Sequence, residues 1–220
     1  MGRDDWYRNT DWTPAIEAAF RAKLKRSRTM RPQYLQIQAG QIASSHPEVA
    51  LALIDEYFET GDDFVVPSAL CTKAEAMLAL GKVQEALDAY RQALAWEDAH
   101  PNFITTARID LPKLVAEQRI ESEYDFALDI LTTRFKASDH QFPSMRYYWN
   151  GSCALITHER GEVAEAKEFA DRALRAAAQT ESPFRYHRSV GIVKDASDEF
   201  GTRIKRIAKP SKLRSLFRLI

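Results

Sequence analysis

Cysteine is nearly missing from this chain of 220 residues, with Cys71 and Cys153 its only two. They make neither a disulfide framework nor a C-x-x-C ligand pair. Each reads as a small hydrophobe on the inward side of a helix, the competing reading being a reactive thiol in a charged, exposed setting. Glycine is scarce as well, with eight residues. No run alternates β-branched and polar residues between turn signals, and Asp63-Phe64-Val65-Val66 is cut short by Pro67. Strand-built folds are thereby disfavoured. No apolar run approaches the ~18 residues of a membrane span. The opening MGRDDWYRNTDW is polar and has no apolar core, unlike a secretory leader, and Trp6 stands where a myristoylation site has Ser or Thr. A soluble cytoplasmic protein is the expectation.

The chemistry-bearing patterns are missing too. His46, His100, His140, His158 and His187 share no metal-ligand spacing, and His158-Glu159 lacks the second histidine of an H-E-x-x-H site. There is no glycine-rich phosphate loop and no G-x-S-x-G elbow. The sequence thus predicts no enzyme, no cofactor, no metal and no small-molecule substrate. Thirty-one Lys and Arg balance thirty-one Asp and Glu, so the whole molecule is not built to seek polyanions. The balance is uneven, however. From Arg203 onward there are seven Lys or Arg and no acid, which leaves the first 202 residues seven negative.

What the chain does have is Ala, Leu, Glu, Lys, Arg and Gln, the strong helix formers, arranged at helical spacing. The clearest stretch is Leu70 to Leu94. Leu70, Ala74, Met77 and Leu78, then Val83, Ala86, Leu87, Tyr90, Ala93 and Leu94, keep the i, i+3, i+4, i+7 rhythm of two helices with one buried face. Gly81 gives the first helix a residue able to enter the left-handed region at its end. Elsewhere, Thr13-Pro14 starts a helix to about Arg26, a second follows Pro32, and Pro47 opens a third toward Gly61. Further helices are expected over about 103–118, with a kink or break at Pro112, and over about 122–136. A last pair runs from Pro143 to Gly161 and from Val163 to Ala177.

These helices repeat. GKVQEALDAYRQAL at 81–94 and GEVAEAKEFADRAL at 161–174 share six of fourteen positions: the Gly, Val, Glu, Ala and the closing Ala-Leu. Related units begin near 47 and 122, so second helices recur at steps of 34, 41 and 39. Units of that size cannot bury an apolar seam alone and stack on their neighbours. The fold class expected is all-α: a right-handed α-solenoid of four hairpins over 33–180, preceded by an arm and capping helix over 1–31. A cap at 181–202 completes a single domain, followed by a basic amphipathic tail at 203–220.

The pattern resembles the tetratricopeptide repeat over about residues 33–180. Residues 68–101 match best, with Ala74 at the small position of the first helix, Gly81 at the turn, then Ala86, Tyr90 and Ala93. The closing Pro arrives late, at Pro101, and the 33–60 and 103–136 units are degenerate. The resemblance implies a concave groove, lined by first helices, that binds another protein or peptide. Its candidate residues are Arg31, Tyr34, Gln38, Gln41, Lys73, Glu75, Lys113, Tyr148, Trp149 and His158, each weighed against an ordinary solvated face. The family's clamp for a C-terminal carboxylate is not reproduced, since Tyr34, Ile37, Gln41, Cys71 and Glu75 occupy its positions.

Three stretches stand apart from the repeats. Met145-Arg-Tyr-Tyr-Trp-Asn150 is rich in side chains that anchor interfaces, and three consecutive aromatics cannot all face one seam. Glu181 to Val190 gathers Arg185, Tyr186, His187 and Arg188, either to grip an anion through Arg185, His187 and Arg188 or to fold back over the last hairpin. In the tail, Leu213, Leu216, Phe217 and Ile220 form a short apolar stripe. That stripe docks on the last repeat, lies on an anionic membrane, or contacts a partner or nucleic acid. The leading functional expectation is an adaptor, regulator or neutraliser of a partner protein. The alternative is an anion-directed binder of nucleic acid or membrane acting through 185–188 and the tail.

Overall fold

A computed structural model of the chain describes residues 5–134 and 142–209. Most of the polar connection expected before Phe142, with His140 in it, and the apolar stripe beyond Pro210 lie outside the described residues. Among those described, all regular structure is helical. Ten α-helices follow in order: α1 (Pro14–Leu24), α2 (Arg31–Ile42), α3 (Pro47–Glu59), α4 (Val66–Ala79), α5 (Val83–Ala99), α6 (Ala107–Gln118), α7 (Tyr124–Thr133), α8 (Pro143–Glu159), α9 (Val163–Ala177) and α10 (Glu199–Ala208). A single 3-10 turn, Glu121–Glu123, leads into α7. The chain divides into two compact units, Met1–Ala107 and Arg108–Ile220.

Within the first unit α2 pairs with α3, α4 with α5, and α2 and α3 pack on α4. Four of its five helices open on proline in the first turn, where a missing N–H costs no hydrogen bond. Its core joins Phe20 and Leu24 of α1, Leu35, Ala39 and Ile42 of α2, Leu53, Ile54 and Tyr57 of α3, and Ala69 and Ala76 of α4, all nearly or fully buried. Each large aliphatic or aromatic side chain so buried contributes roughly 1.5–3 kcal/mol. Tyr57 is the largest of them, and its hydroxyl donates to the Asp62 carbonyl at 2.9 Å, so its one polar atom is satisfied. At the far end the buried Glu97 of α5 accepts from the Thr105 backbone N–H at 2.7 Å and its hydroxyl at 2.5 Å. That carboxylate holds 103–106 out of the helix, so α6 begins at Ala107 rather than near 103, and it then runs through Pro112 without ending.

Inside the second unit α8 and α9 form the tightest pair, and α10 packs on both. The turn of this pair makes the same two crossed bonds as the turn of α4 and α5. Lys82 N–H donates to Met77 C=O and Gly81 N–H to Leu78 C=O; Glu162 N–H donates to Thr157 C=O and Gly161 N–H to His158 C=O. Gly81 and Gly161 sit at φ 73° and 82°, the left-handed position that closes such a helix end. The degenerate unit makes the same crossed bond, Ile120 N–H to Val115 C=O, with Arg119 in the left-handed seat at φ 53°. Its turn therefore falls at 119, not near 122, and the helix after it starts at Tyr124 behind the 3-10 turn.

Candidate functional site

In the first unit the arm before α1 claims most of the α2 residues expected to line a groove. Trp6 packs on Tyr7, Phe20 and Tyr34, and Tyr7 lies on Tyr34 with ring centroids 4.4 Å apart. Gln38 is fully buried: its amide donates to the Asn9 carbonyl at 2.8 Å, and its oxygen accepts from Asn9 Nδ2 at 2.8 Å and Asn9 N–H at 3.0 Å. A carboxamide bonded on both sides in a dry setting is a structural tie. Arg31 and Arg21 both hold the Glu56 carboxylate. Gln38 is thus taken up in tying the arm to α2 and cannot face a partner, whereas Tyr34 and Arg31, packed on the arm and paired with α3, are only half-buried. Gln41 and Glu75 are exposed and Lys73 is half-buried.

A shallow apolar hollow of about 250 Å³ lies between the α1–α2 and α3–α4 connections, with Met30, Pro32, Phe64 and Val65 in its wall. Met30 and Phe64 are exposed there, and Phe64 also meets Phe103 edge to face at 6.1 Å.

Within the second unit Trp149 is half-buried and ties α8 to α7. Its Nε1–H donates to the Leu131 carbonyl at 2.7 Å, capping the last turn of α7, and its ring meets Phe169 at 5.8 Å. Tyr148 and Lys113 converge, and the chain's own α10 packs against both. The Phe200 ring centroid is 5.9 Å from that of Tyr148, 5.7 Å from that of Tyr147 and 5.5 Å from Lys113 Nζ. Lys113 also reaches the Tyr148 ring at 5.6 Å and pairs with Glu117 at 2.6 Å. Burial raises the Tyr148 phenol, with Lys113 acting against it, and burial pushes the Tyr147 phenol well above its ordinary range.

Three further features fix α10 in this seat. Asp198 caps it, Oδ1 accepting from the Gly201 N–H at 2.8 Å. Gly151 of α8 lets it approach, since a Cβ there would fall 2.6 Å from Phe200 Cζ and 2.7 Å from Ile204 Cδ1. Arg203, 7 % exposed, donates from Nη1 to the carbonyls of Ala116 (3.0 Å) and Glu117 (3.1 Å) and from Nη2 to Glu159 Oε1 at 3.2 Å. It satisfies the orphan carbonyls at the end of α6 and meets the negative end of that helix dipole. The tail boundary drawn at Arg203 accordingly falls in the middle of a packed helix.

Glu181 to Val190 is irregular, as expected, and it stands out from the body. Phe184, Tyr186 and Val190 are exposed, Tyr186 by 84 %, and so are Arg185, His187 and Arg188. Arg185 lies over the Tyr186 ring at 5.6 Å. The far end of this segment is held at Gly191, whose carbonyl accepts from Ser144 N–H at 2.8 Å and whose φ of 74° and contact with Phe142 leave no room for a Cβ. His158 is exposed at the end of α8. Between the α8 start and the α9 end lies an open cleft of about 480 Å³, bounded by Pro143, Arg146, Gln179 and Pro183, with Arg146 Nη2 donating to Gln179 Oε1 at 2.5 Å.

Both cysteines are buried, and burial pushes the Cys153 thiol up to about 12, so at neutral pH it is an unreactive thiol. Among the described residues no three His, Cys, Asp or Glu side chains are placed to hold a metal ion. Among those residues, too, no helix is long and apolar enough to cross a membrane. The sequence reading missed α10, although Asp198 followed by Phe200, Ile204 and Ile207 is a capped helix with an apolar stripe; the run of basic residues around them masked that signal. Comparison with known proteins finds no matching family model, no matching curated protein and no matching solved structure.

Proposed function

We propose that this chain is a non-catalytic protein-recognition module built from tetratricopeptide-like hairpins, an adaptor, regulator or neutraliser of a partner protein. The observation that carries the reading is the recurrence of one turn, the crossed bonds at Gly81 and Gly161, between helices of matching apolar pattern. Recurring hairpins of this kind stack, and stacked hairpins offer surfaces that suit another chain better than a small molecule. Gln41, Lys73 and Glu75 in the first unit, and Phe184 and Tyr186 in the second, are the accessible side chains on which such a partner would rest.

The test is affinity purification with the tagged full chain from its native cells. A defined partner should be recovered, and Gln41→Lys or Tyr186→Asp should abolish its recovery while shifting Tm by no more than about 2 °C, as suits an exposed side chain. Failure of every exposed substitution to affect recovery would sink the reading. The second reading, anion binding through Arg185, His187 and Arg188, is favoured by the exposure of all three. It predicts affinity for single-stranded nucleic acid or anionic vesicles that falls steeply with salt.

A further inference from the structure

The geometry points to 182–194 as a loop that seats the chain on an anionic phospholipid surface, its apolar side chains entering the headgroup layer and its cations meeting the phosphates. This rests on the anion-binding reading above and chooses its ligand. Three large apolar side chains of the loop lie in the open: Phe184 at 49 %, Tyr186 at 84 % and Val190 at 44 % exposure. Nine large hydrophobics are exposed among the described residues, so a third of them fall within seven positions. Such a concentration marks a surface that meets something apolar, whereas singly scattered ones need no explanation. Cations alternate with them. Arg185 and Arg188 stand among the three, both exposed, and exposed Lys194 follows. From Ser182 to Lys194 there is no Asp or Glu, in a chain whose first 202 residues are seven negative.

The loop has a shape of its own that holds these side chains outward. Phe184 C=O accepts from His187 N–H at 3.1 Å and His187 C=O from Val190 N–H at 3.0 Å, so two successive turns form the tip. Ser182 Oγ accepts from the Phe184 N–H at 3.1 Å at its start. The base is clamped to the start of α8, where Phe142 packs on Phe184 with ring centroids 5.3 Å apart and Gly191 accepts from Ser144 N–H. A loop shaped in advance loses little freedom on contact.

A lipid surface fits this loop better than a nucleic acid strand. Pro183 to Val190 are eight consecutive exposed residues, so the segment projects, whereas single strands lie along a charged groove. Stacked bases need open ring faces, yet Arg185 lies over the Tyr186 ring and Phe142 lies against Phe184. Val190 has no ring to offer. Tyrosine, apolar in its body and polar at its tip, suits the headgroup depth, and arginine carries its charge to the phosphates on an apolar stem. Each half is weak alone. A small apolar insertion gives marginal, reversible attachment, and firm attachment takes an apolar and a basic signal together.

The experiment sediments the full chain with vesicles of equal parts phosphatidylserine and phosphatidylcholine, or of phosphatidylcholine alone. The chain should pellet with the first and stay in solution with the second. Arg185→Ala/Arg188→Ala should bind the anionic vesicles at least about tenfold more weakly, since each cation near such a surface counts for roughly fivefold. Tyr186→Ser/Val190→Ser should lose about tenfold or more through its apolar half. All four positions are exposed, so the Tm of either variant should stay within about 2 °C. Both native cysteines are buried, so an environment-sensitive dye on Ser189→Cys reports from the loop. Bromine atoms on the lipid chains should quench it, which adsorption by charge without insertion would not produce. No pelleting with anionic vesicles at low salt overturns the proposal. So does binding that both double variants retain, which places the lipid contact elsewhere in the chain, or a dye left unquenched on bound protein. Single-stranded oligothymidine keeps the two readings apart. If it binds through Arg185 and Arg188 while vesicles do not, the lipid proposal falls and the anion-binding reading stands; if neither binds, both fall.

Discussion

At the scale of single residues, the chain shows where a repeat has drifted and what holds it regardless. Arg119 occupies a left-handed position that its counterparts Gly81 and Gly161 fill freely. A side chain in that region costs about 1–2 kcal/mol. Its ion pair with Glu159 at 3.4 Å is largely exposed and returns little. Arg119→Gly is therefore expected to stabilise the protein by about 0.5–1 kcal/mol after the entropy of the unfolded chain is counted, read as a higher urea midpoint at unchanged slope. Tyr57 makes a second prediction. Burial, helped by Asp62, raises its phenol from 10.0 to about 12. A raised folded pKa means the stability it brings is whole below pH 10, where the unfolded chain would ionise, and is lost as pH climbs toward 12. Tm measured from pH 8 to 11 should fall above 10, and the fall should be smaller in Tyr57→Phe.

At the scale of elements, the packing of α10 on α8 depends on one absent methyl group. In Gly151→Ala the added Cβ meets Phe200 and Ile204 at under 3 Å, so α10 must shift or lift. Overpacking of this kind costs about 1–3 kcal/mol, and the change should show as lost protection of α10 amides before any loss in α8. Elements were the scale at which the sequence was most legible. The spacing of apolar residues with Pro47, Pro143, Gly81 and Gly161 places α3, α4, α5, α8 and α9 to within a few residues. It failed at α6, because a long-range bond from Glu97 to Thr105 decides where that helix begins, and local pattern carries no trace of it. Side-chain roles were less legible still. Helical periodicity puts Tyr34, Gln38, Lys113 and Tyr148 on one kind of face, but not what covers it. An arm, in one case, and a later helix, in the other, supply the cover.

At the scale of the whole molecule, the chain divides into two compact units. The second exposes a ten-residue irregular stretch whose most accessible aromatic is Tyr186. Brief chymotrypsin treatment should cut after it, since backbone with few internal bonds and no cover is where proteases enter. The fragments should stay together through the α10 seat, running as one species under native conditions and as two after denaturation.

The bonds of Arg203 also have a consequence in time. The carbonyls it caps belong to Ala116 and Glu117, 87 and 86 positions earlier in the chain. During synthesis the first unit has every helix and core residue in hand long before Arg203 is made, so it can settle as its chain emerges. The second cannot. Its opening helix waits with bare carbonyls, and the faces of Tyr147 and Tyr148 stay uncovered, until the ribosome has added α10.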